Sequence, residues 1–455
     1  MPELMNLTLS MIVRDAAETL EACLASVRGV VNEMVLADTG SVDSTIALAQ
    51  RLGARVISIP WTNHFAEARN RALAAVRSDW VLFLDADEIL DPELSQTIPA
   101  LLKDSSVGGY QVTIRNYVLS LQDRVWDRSA VPNDSSLAAA RPYPAYVEHQ
   151  NVRLFRRDPG VYFVGRVHES VGPRLQELGR KIGEVPFFIH HFGLAASAEE
   201  RERKNVLYRE LGKLKIREMP NDAQAHFELG LVEMDNFGNL EEARALFERA
   251  CQLNPRLGLA WFFQGVALVR LEKYSTALSC LAQAEHHGHR TALLAEFRGD
   301  AYYNSGNFEE AARVYKTALQ RQPENPACTS KLGLAILRSG QAPRGIKHLR
   351  EALAIRPAEP DLHDRLIVAL VWLGNLEEAA IAADAKLGAV AQPAANDYLR
   401  AASLWVQKRN TQRGAYLLRE GLRIHPQDQR LQNARDALFG TLQSPEMVIS
   451  DKSTT

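Results

Sequence analysis

Three carboxylates, Asp85, Asp87 and Glu88, follow directly on the apolar run Val81-Leu82-Phe83-Leu84. Acids are costly inside an apolar sheet, but at a strand end they can face a cation. Two aspartates one residue apart suit one hard divalent ion, Mg2+ or Mn2+, which keeps positions open for phosphate oxygens and a ligand hydroxyl. The same stretch also reads as a loop of helix-capping acids, because Asp91-Pro92-Glu93 has the form of a helix start. No GxGxxG after a strand, Walker GxxxxGK[ST], HExxH or GxSxG is present. Dinucleotide oxidoreductases, ATPases, zinc proteases and serine hydrolases therefore lose their usual signatures.

The elements that must position these acids alternate. Leu7–Val13 is a continuous apolar run, Ala17–Val27 has helical periodicity, and Glu33–Ala37 reads as a strand ending at Asp38. Val42–Leu52 reads as a helix, Ala54–Ile59 as a strand, Phe65–Val76 as a helix and Trp80–Leu84 as a strand. Buried-type strands alternating with helices predict a parallel α/β sheet, whose ligands sit beyond the carboxyl ends of its strands. Arg14, Asp38 and the acidic cluster all fall there.

After residue 220 the grammar changes. Pro255, Pro323, Pro357 and Pro426 are spaced by about one or two lengths of 34 residues. A small residue precedes each proline at a constant offset: Ala243, Ala311, Gly345 and Gly414. A further offset brings Gly238, Gly306, Gly340 and Arg409, and copies lacking the proline begin around Lys273 and Gly374. Turn residue, small residue, bulky residue (Phe247, Leu281, Tyr315, Leu349, Leu418) and helix-stopping proline describe pairs of closely packed helices. The pattern resembles the tetratricopeptide repeat, in six copies over about 222–426 with a capping helix at Gln427–Leu442. Such arrays stack into a superhelix whose concave face holds a peptide or protein, or which serves as a rigid spacer.

Composition is that of a globular chain: 455 residues, 46% hydrophobic, with 53 Lys and Arg against 55 Asp and Glu. A net charge of −2 gives no global footprint for nucleic acid. Cys23, Cys251, Cys280 and Cys328 are far apart and read as reduced thiols rather than a disulfide framework or zinc site. No start resembling a signal peptide and no span of about 20 apolar residues is found, so a cytoplasmic location is expected. The His286-His287-Gly288-His289 tract falls at a turn between repeats and reads as solvated polar residues.

Motifs in order along the first half carry a second resemblance. They run Leu9–Asp15, Leu36–Thr45 with Asp38-Thr39-Gly40-Ser41, Ala68-Arg69-Asn70 and Leu84–Glu88, continuing through Arg153–Arg156, Gly165–Glu169 and Ile189–Gly193. They resemble the family 2 glycosyltransferases. Joined to the repeats, they resemble the branch similar to the bacteriocin S-glycosyltransferases. The resemblance implies a GT-A-like, mostly parallel α/β domain that binds a nucleotide-diphosphate sugar, most simply a UDP-sugar, with Mn2+ or Mg2+. It implies that Asp38 contacts the base, or closes an Asx turn, and that Arg69 meets the diphosphate or base, or is a solvated helix charge. Asn70 caps or packs. It implies Asp87 as direct metal ligand and Asp85 as a contact to ribose or the metal's surroundings. Arg14 stands where relatives carry Asn or Lys and contacts phosphate or base. Glu169 is the candidate base of an inverting transfer, with His168 orienting it or contacting phosphate, unless the pair is a hydrogen-bonded turn. His191 reaches the metal, or packs against the linker.

The expected organisation is a transferase domain over 1–198, a charged solvated connector helix over 199–221, repeats and cap over 222–442, and a disordered tail over 443–455. Asp123–Gln150, with Trp126, Tyr143 and Tyr146, is expected to be a lid or acceptor-binding segment, or else a disordered insertion. The expected activity is metal-dependent glycosyl transfer to an acceptor, possibly a polypeptide held by the repeats. The alternatives are an envelope or saccharide acceptor with the repeats docking a partner protein, and a non-catalytic repeat scaffold with a degenerate sugar-nucleotide domain.

Overall fold

The computed structural model describes residues 6–442, apart from 122, 126, 127 and 194–197. Trp126 and the expected tail over 443–455 lie outside the described residues. The chain forms two compact units, Met1–Leu253 and Asn254–Thr455.

The first unit opens with β1 (Leu7–Val13), α1 (Leu20–Ser26), β2 (Glu33–Asp38), α2 (Thr45–Arg51), β3 (Arg55–Ser58), α3 (Phe65–Ala74) and β4 (Trp80–Phe83). These strands lie parallel in the order β3-β2-β1-β4. Both faces are covered, as a parallel sheet requires. Leu7, Leu9, Met11 and Val13 of β1 join Trp80 and Leu82 in one core. Val35, Val81 and Phe83 point into the other, with Phe155 and Phe163.

The sheet continues through β5 (Glu88–Leu90), α4 (Pro92–Leu101), β6 (Val107–Val118), β7 (Arg124–Val125), β8 (Arg128–Ser129), β9 (Val131–Pro132), β10 (Ala145–Arg156), α5 (Gly172–Glu177) and β11 (Lys181–His191). β10 runs antiparallel to both β4 and β6, β11 parallel to β6, and β5 antiparallel to β11. The segment Asp123–Gln150 is thus no plain loop, since its last residues belong to β10. Asn133 closes the turn before them by donating to the Ala140 and Tyr143 carbonyls at 2.8 Å.

Helix α6 (Ala198–Glu218) corrects the reading of a solvated connector. Leu211 and Lys215 are buried in it. Its Arg209 and Lys215 pair with Glu233 and Glu228, at 2.6 and 2.7 Å, on α7 (Ala223–Asp235). The side chain of Glu200, expected to pair with Lys204, lies outside the described residues.

From α7 the helices come in pairs with α8 (Leu240–Leu253), then α9 (Gly258–Arg270) and α10 (Tyr274–His286), α11 (Ala292–Asn304) and α12 (Phe308–Arg321), and α13 (Pro326–Arg338) and α14 (Ala342–Ile355). α15 (Pro360–Trp372) and α16 (Leu376–Ala389), α17 (Ala395–Gln407) and α18 (Thr411–Ile424), and a last helix α19 (Gln429–Leu442) complete the array. The reason for the small residues is steric. A Cβ on Gly230 or Gly265 would meet Phe247 or Leu281 at 2.6 Å, and one on Gly299 would overlap Tyr315. The turn position is left-handed throughout, at Gly238, Gly306, Gly340 and Gly374, and also at Arg409 with φ 62°. The prolines do more than stop helices. Six residues on, His226, Trp261, His363 and Gln432 each donate to the carbonyl of Pro220, Pro255, Pro357 and Pro426. No helix among the described residues is long and apolar enough to cross a membrane.

Candidate functional site

Because β2 and β4 flank β1 from opposite sides, the chain reverses its direction of winding between β1 and β4. Ligands of such sheets bind at that point, outside the strand ends. Arg14 follows β1 there, its side chain 55% exposed beside Asp15 at 3.7 Å. Asp38 ends β2 opposite Val13. It is buried, and its carboxylate accepts from the backbone N–H of Gly40 at 3.0 Å and of Ser41 at 3.2 Å. The Asx turn therefore forms, with Gly40 at φ 108°. A carboxylate has about four lone-pair sites, so these bonds leave Asp38 acceptor capacity.

The acids after β4 sit on two buried arginines. Arg69, from α3, donates through Nη2 to Asp85 at 2.6 Å and through Nε to Glu169. It is 5% exposed, so it is not a solvated helix charge. Arg153, from β10, donates to Glu88 at 2.7 Å and lies 3.7 Å from Asp85. Both guanidinium groups lie over the Phe83 ring, at 4.9 and 4.4 Å from its centre. Burial acts to raise the Asp85 carboxyl, but Arg69 and then Arg153 outweigh it and hold the group well below its ordinary range. Burial pushes Glu88 up to about 7 against the pull of Arg153. Glu88 also accepts from the Asp85 N–H at 2.8 Å, closing the turn that aims Asp87 outward. Asp91 caps α4 by accepting from Glu93 N–H, so the helix start exists beside the acidic cluster rather than instead of it.

The apolar run Val161–Val167 reads in sequence as a strand leading to His168 and Glu169, but Glu169 arrives on a loop. Val161, Phe163 and Val167 are buried, which explains the apolar run, but only Val164 pairs, with Ser170. Asn70 clamps this loop by donating to Phe163 O at 2.9 Å and accepting from Phe163 N–H at 2.8 Å. Two neighbouring residues of α3 thus fix both the loop and the carboxylate it carries. His168 takes φ 54°, an uncommon conformation for a non-glycine residue. Its ring stacks on Tyr208 of α6 at 6.2 Å, and Tyr208 stacks in turn on Phe65 at 6.2 Å. Burial first, then Asp85, Glu169 and Asp87, push the Tyr208 hydroxyl up to about 12. Glu218 of the same helix pairs with Arg166.

The last strand brings the imidazoles. His190 is buried between Tyr117 Oη at 2.8 Å and Asp91 Oδ2 at 3.0 Å, a clasp that fixes the end of β11. His191 points the other way. Its Nε2 lies 3.5 Å from Asp87 Oδ2 and its Nδ1 lies 2.8 Å from Asn116 Oδ1. Burial raises Asp87 and lowers His191, yet each is shifted the opposite way overall by the hydrogen bond between them and then by the other's charge. A Cβ on Gly193 would overlap Asp87 Oδ2 and come within 2.6 Å of His191 Nε2. The missing side chain leaves that gap clear between an oxygen and a nitrogen donor. No group of three or more His, Cys, Asp or Glu poised to hold a metal occurs among the described residues. One carboxylate and one imidazole nonetheless suit Mg2+ or Mn2+, which commonly completes its shell with substrate phosphates and water.

Arg14, Asp38, Arg69, Asp85, Asp87, His168, Glu169 and His191 all lie in the first unit. Arg69, Asp85 and Glu169 touch one another, as do Asp87 and His191. Sequence reading assigned no role to Arg153 or Asn116, and none to Tyr208. Arg153 opens the Arg-Leu-Phe-Arg motif, but β10 also carries Glu148 and Arg156, so nothing within the strand set that charge apart. Asn116, between Arg115 and Tyr117, had no signal either.

The glycosyl transferase family 2 model matches residues 8–160, and a tetratricopeptide repeat model matches 207–257, 262–326 and 298–360. A tetratricopeptide-repeat-containing protein of Synechococcus elongatus is 28% identical over 389 residues, 82% of this chain and 89% of that one. An uncharacterized glycosyltransferase of Rickettsia felis is 36% identical over 87 residues, 19% of this chain and 30% of its own. The prophage-derived glycosyltransferase SunS of Bacillus subtilis is 23% identical over 167 residues, 36% of this chain and 34% of its own. The chain thus spans 30% and 34% of the lengths of these two glycosyltransferases.

Proposed function

We propose, from the premise that this chain carries a family 2 glycosyltransferase domain followed by tetratricopeptide repeats, that it moves a sugar from a UDP-sugar to a polypeptide acceptor held by the repeats, with inversion and with a divalent metal. The observation that carries this reading is the pairing of Asp87 Oδ2 and His191 Nε2, 3.5 Å apart at the strand ends, with Gly193 beside them. Asp87 and His191 would hold Mn2+ or Mg2+. When bound, the ion supplies charge stabilisation to the departing diphosphate.

The chain's own residues do the rest. Asp38 keeps acceptor capacity for a base N–H while its turn shapes the nucleotide end of the cleft. Arg14 is exposed at the same edge and suits a phosphate. Asp85 faces the ribose side, held ionised by Arg69 and Arg153. In the transfer, the acceptor's nucleophilic atom attacks the anomeric carbon. The bond from that carbon to the diphosphate oxygen breaks, and its electron pair leaves with UDP. Glu169 takes the proton released by the acceptor, and Arg69 holds its carboxylate in place. His168, strained and stacked on Tyr208, orients the loop. Arg69 is thereby reassigned from diphosphate contact to support, because Asp85 and Glu169 take two of its donor nitrogens.

A thermal-shift screen of nucleotide sugars with and without Mn2+ tests the reading, because a ligand that binds the folded state stabilises it by mass action. A UDP-sugar should raise the melting temperature only with Mn2+, and EDTA should abolish slow UDP release. If no nucleotide sugar binds in the presence of Mn2+, the proposal fails.

A further inference from the structure

Asn116 lies in β6 between His191 of β11 and Val147 of β10, paired in register with both. It is buried, and besides a long contact from Nδ2 to the Ile114 carbonyl of its own strand at 3.4 Å its amide makes three closer ones. Nδ2 lies 2.9 Å from the Val147 carbonyl and 2.8 Å from His149 Nδ1, and Oδ1 lies 2.8 Å from His191 Nδ1. A carbonyl oxygen only accepts, so the atom facing Val147 must be the amide nitrogen. This removes the usual ambiguity of amide orientation. The second amide hydrogen goes to His149 Nδ1. The remaining atom, Oδ1, only accepts, so His191 Nδ1 must carry a hydrogen. A neutral imidazole protonated at Nδ1 has its lone pair at Nε2, the atom facing Asp87 across the gap beside Gly193.

We infer that Asn116 is a positioning residue that locks His191 in its Nδ1–H tautomer and so presents the Nε2 lone pair beside Asp87. Partners of this kind on the far nitrogen of a ligating imidazole commonly change metal affinity about 10- to 100-fold. The inference rests on the proposed metal reading and deepens it. It extends the centre to a residue that touches neither the metal nor the substrate.

The test is Mn2+ binding to the full chain without donor sugar, read from the electron paramagnetic resonance signal of free Mn2+. Asn116→Leu removes the acceptor and should weaken binding about 10-fold or more. Asn116→Asp keeps an acceptor for His191 Nδ1–H but gives up the donations to Val147 and His149. It should stay within about threefold of the parent on the same scale. If Asn116→Asp falls as far as Asn116→Leu, the residue is only a strand clasp and the inference is overturned. If Asn116→Leu binds as the parent does while His191→Ala and Asp87→Ala do not, the inference falls and the metal reading stands. If all of these variants bind equally well, the metal reading itself falls and takes the inference with it. A measurement independent of variant folding is nitrogen NMR of the metal-free parent with labelled histidine, taken at a pH high enough that the spectrum shows a single ring hydrogen on His191. Protonation of His191 at Nδ1 supports the inference, and protonation at Nε2 overturns it.

Discussion

Two sets of buried charges, one in each unit, are built from the same parts and end differently. In the repeats, Lys331 of α13 donates to Glu296 at 2.7 Å and Asp300 at 2.8 Å, and Tyr315 donates to Asp300 at 2.6 Å. Lys386 likewise serves Asp364 and Asp397, with Arg400 added. Each carboxylate there meets donors from the protein itself. At the strand ends, Arg69 and Arg153 serve Asp85, Glu88 and Glu169, but Asp87 extends past them toward His191. Both arginines keep nitrogens without a hydrogen-bond partner, Nη1 of Arg69 and Nε and Nη1 of Arg153, and both guanidinium groups lie over the Phe83 ring. The repeat networks are closed and hold helices together. The strand-end network is fixed underneath by the two arginines and extends one carboxylate beyond them, the feature on which the proposed cation site rests.

The largest expected effect tests that open end. Asp87→Ala should lower UDP release from the donor by about 10³-fold or more, since an ion held there is worth several kcal/mol of charge stabilisation. Far-ultraviolet circular dichroism should stay unchanged, because among the described residues Arg69 and Arg153 pair with Asp85, Glu88 and Glu169 and not with Asp87. Unaltered turnover would make the Asp87 and His191 pair another closed network.

The next effect separates the two kinds of cluster by stability. Arg153→Met strands Glu88 and weakens the hold on Asp85, and breaking such a buried pair costs about 3–5 kcal/mol. The lower end is expected, because Glu88 already sits at about 7 and can take up a proton. Lys331→Met should cost less, about 1–3 kcal/mol, because its side chain is 24% exposed against 6% for Arg153. Urea unfolding of both variants checks the order. Donor turnover should survive Lys331→Met and fall with Arg153→Met.

The same contrast explains what could be read from the chain alone. β1 has the bounds of its apolar run, and the following elements fall within a few residues of their periodic segments, because short local units carry their own signals. The repeats were legible because steric contacts such as Gly265 against Leu281 recur at a fixed period. β6, β10 and β11 were not legible. Their pairing is set by partners far along the chain, and β6 alternates polar and apolar residues too irregularly to announce its length. The two networks differ in the same way. Lys331 looks like any helix lysine, and Arg153 looks like any strand charge, until distant strands bring their acids. α6 misled for a physical reason. Its charged pattern is real, but Tyr208, Leu211 and Lys215 turn toward partners outside the helix, and no periodicity within it names them.

Tyr208 gives a smaller effect. Tyr208→Leu keeps bulk but removes the stacking on His168 and Phe65, worth about 0.5–1.5 kcal/mol. The loop carrying Glu169 should loosen, and kcat should fall about three- to tenfold on that scale with KM for the donor little changed. An equal fall in kcat and rise in KM would place Tyr208 against the donor instead of behind the loop.

The smallest effect concerns His149, which hangs on the back of the open network through Asn116. Burial, and after it the positive charge of Arg153, lowers its pKa from 6.5 to about 4. Between those two values the unfolded chain binds the proton and the folded chain does not, so stability rises with pH across the window. In the other direction, acidification from about pH 6.5 should progressively unfold the first unit, by about 1 kcal/mol at about pH 5.5 for a histidine of ordinary unfolded pKa. His149→Asn keeps an acceptor for the Asn116 amide and carries no titrating group, so its stability profile should be flatter over that range. An acid-induced loss of the same size in His149→Asn would mean that the carboxylates, and not the imidazole behind Asn116, set the low-pH limit of this unit.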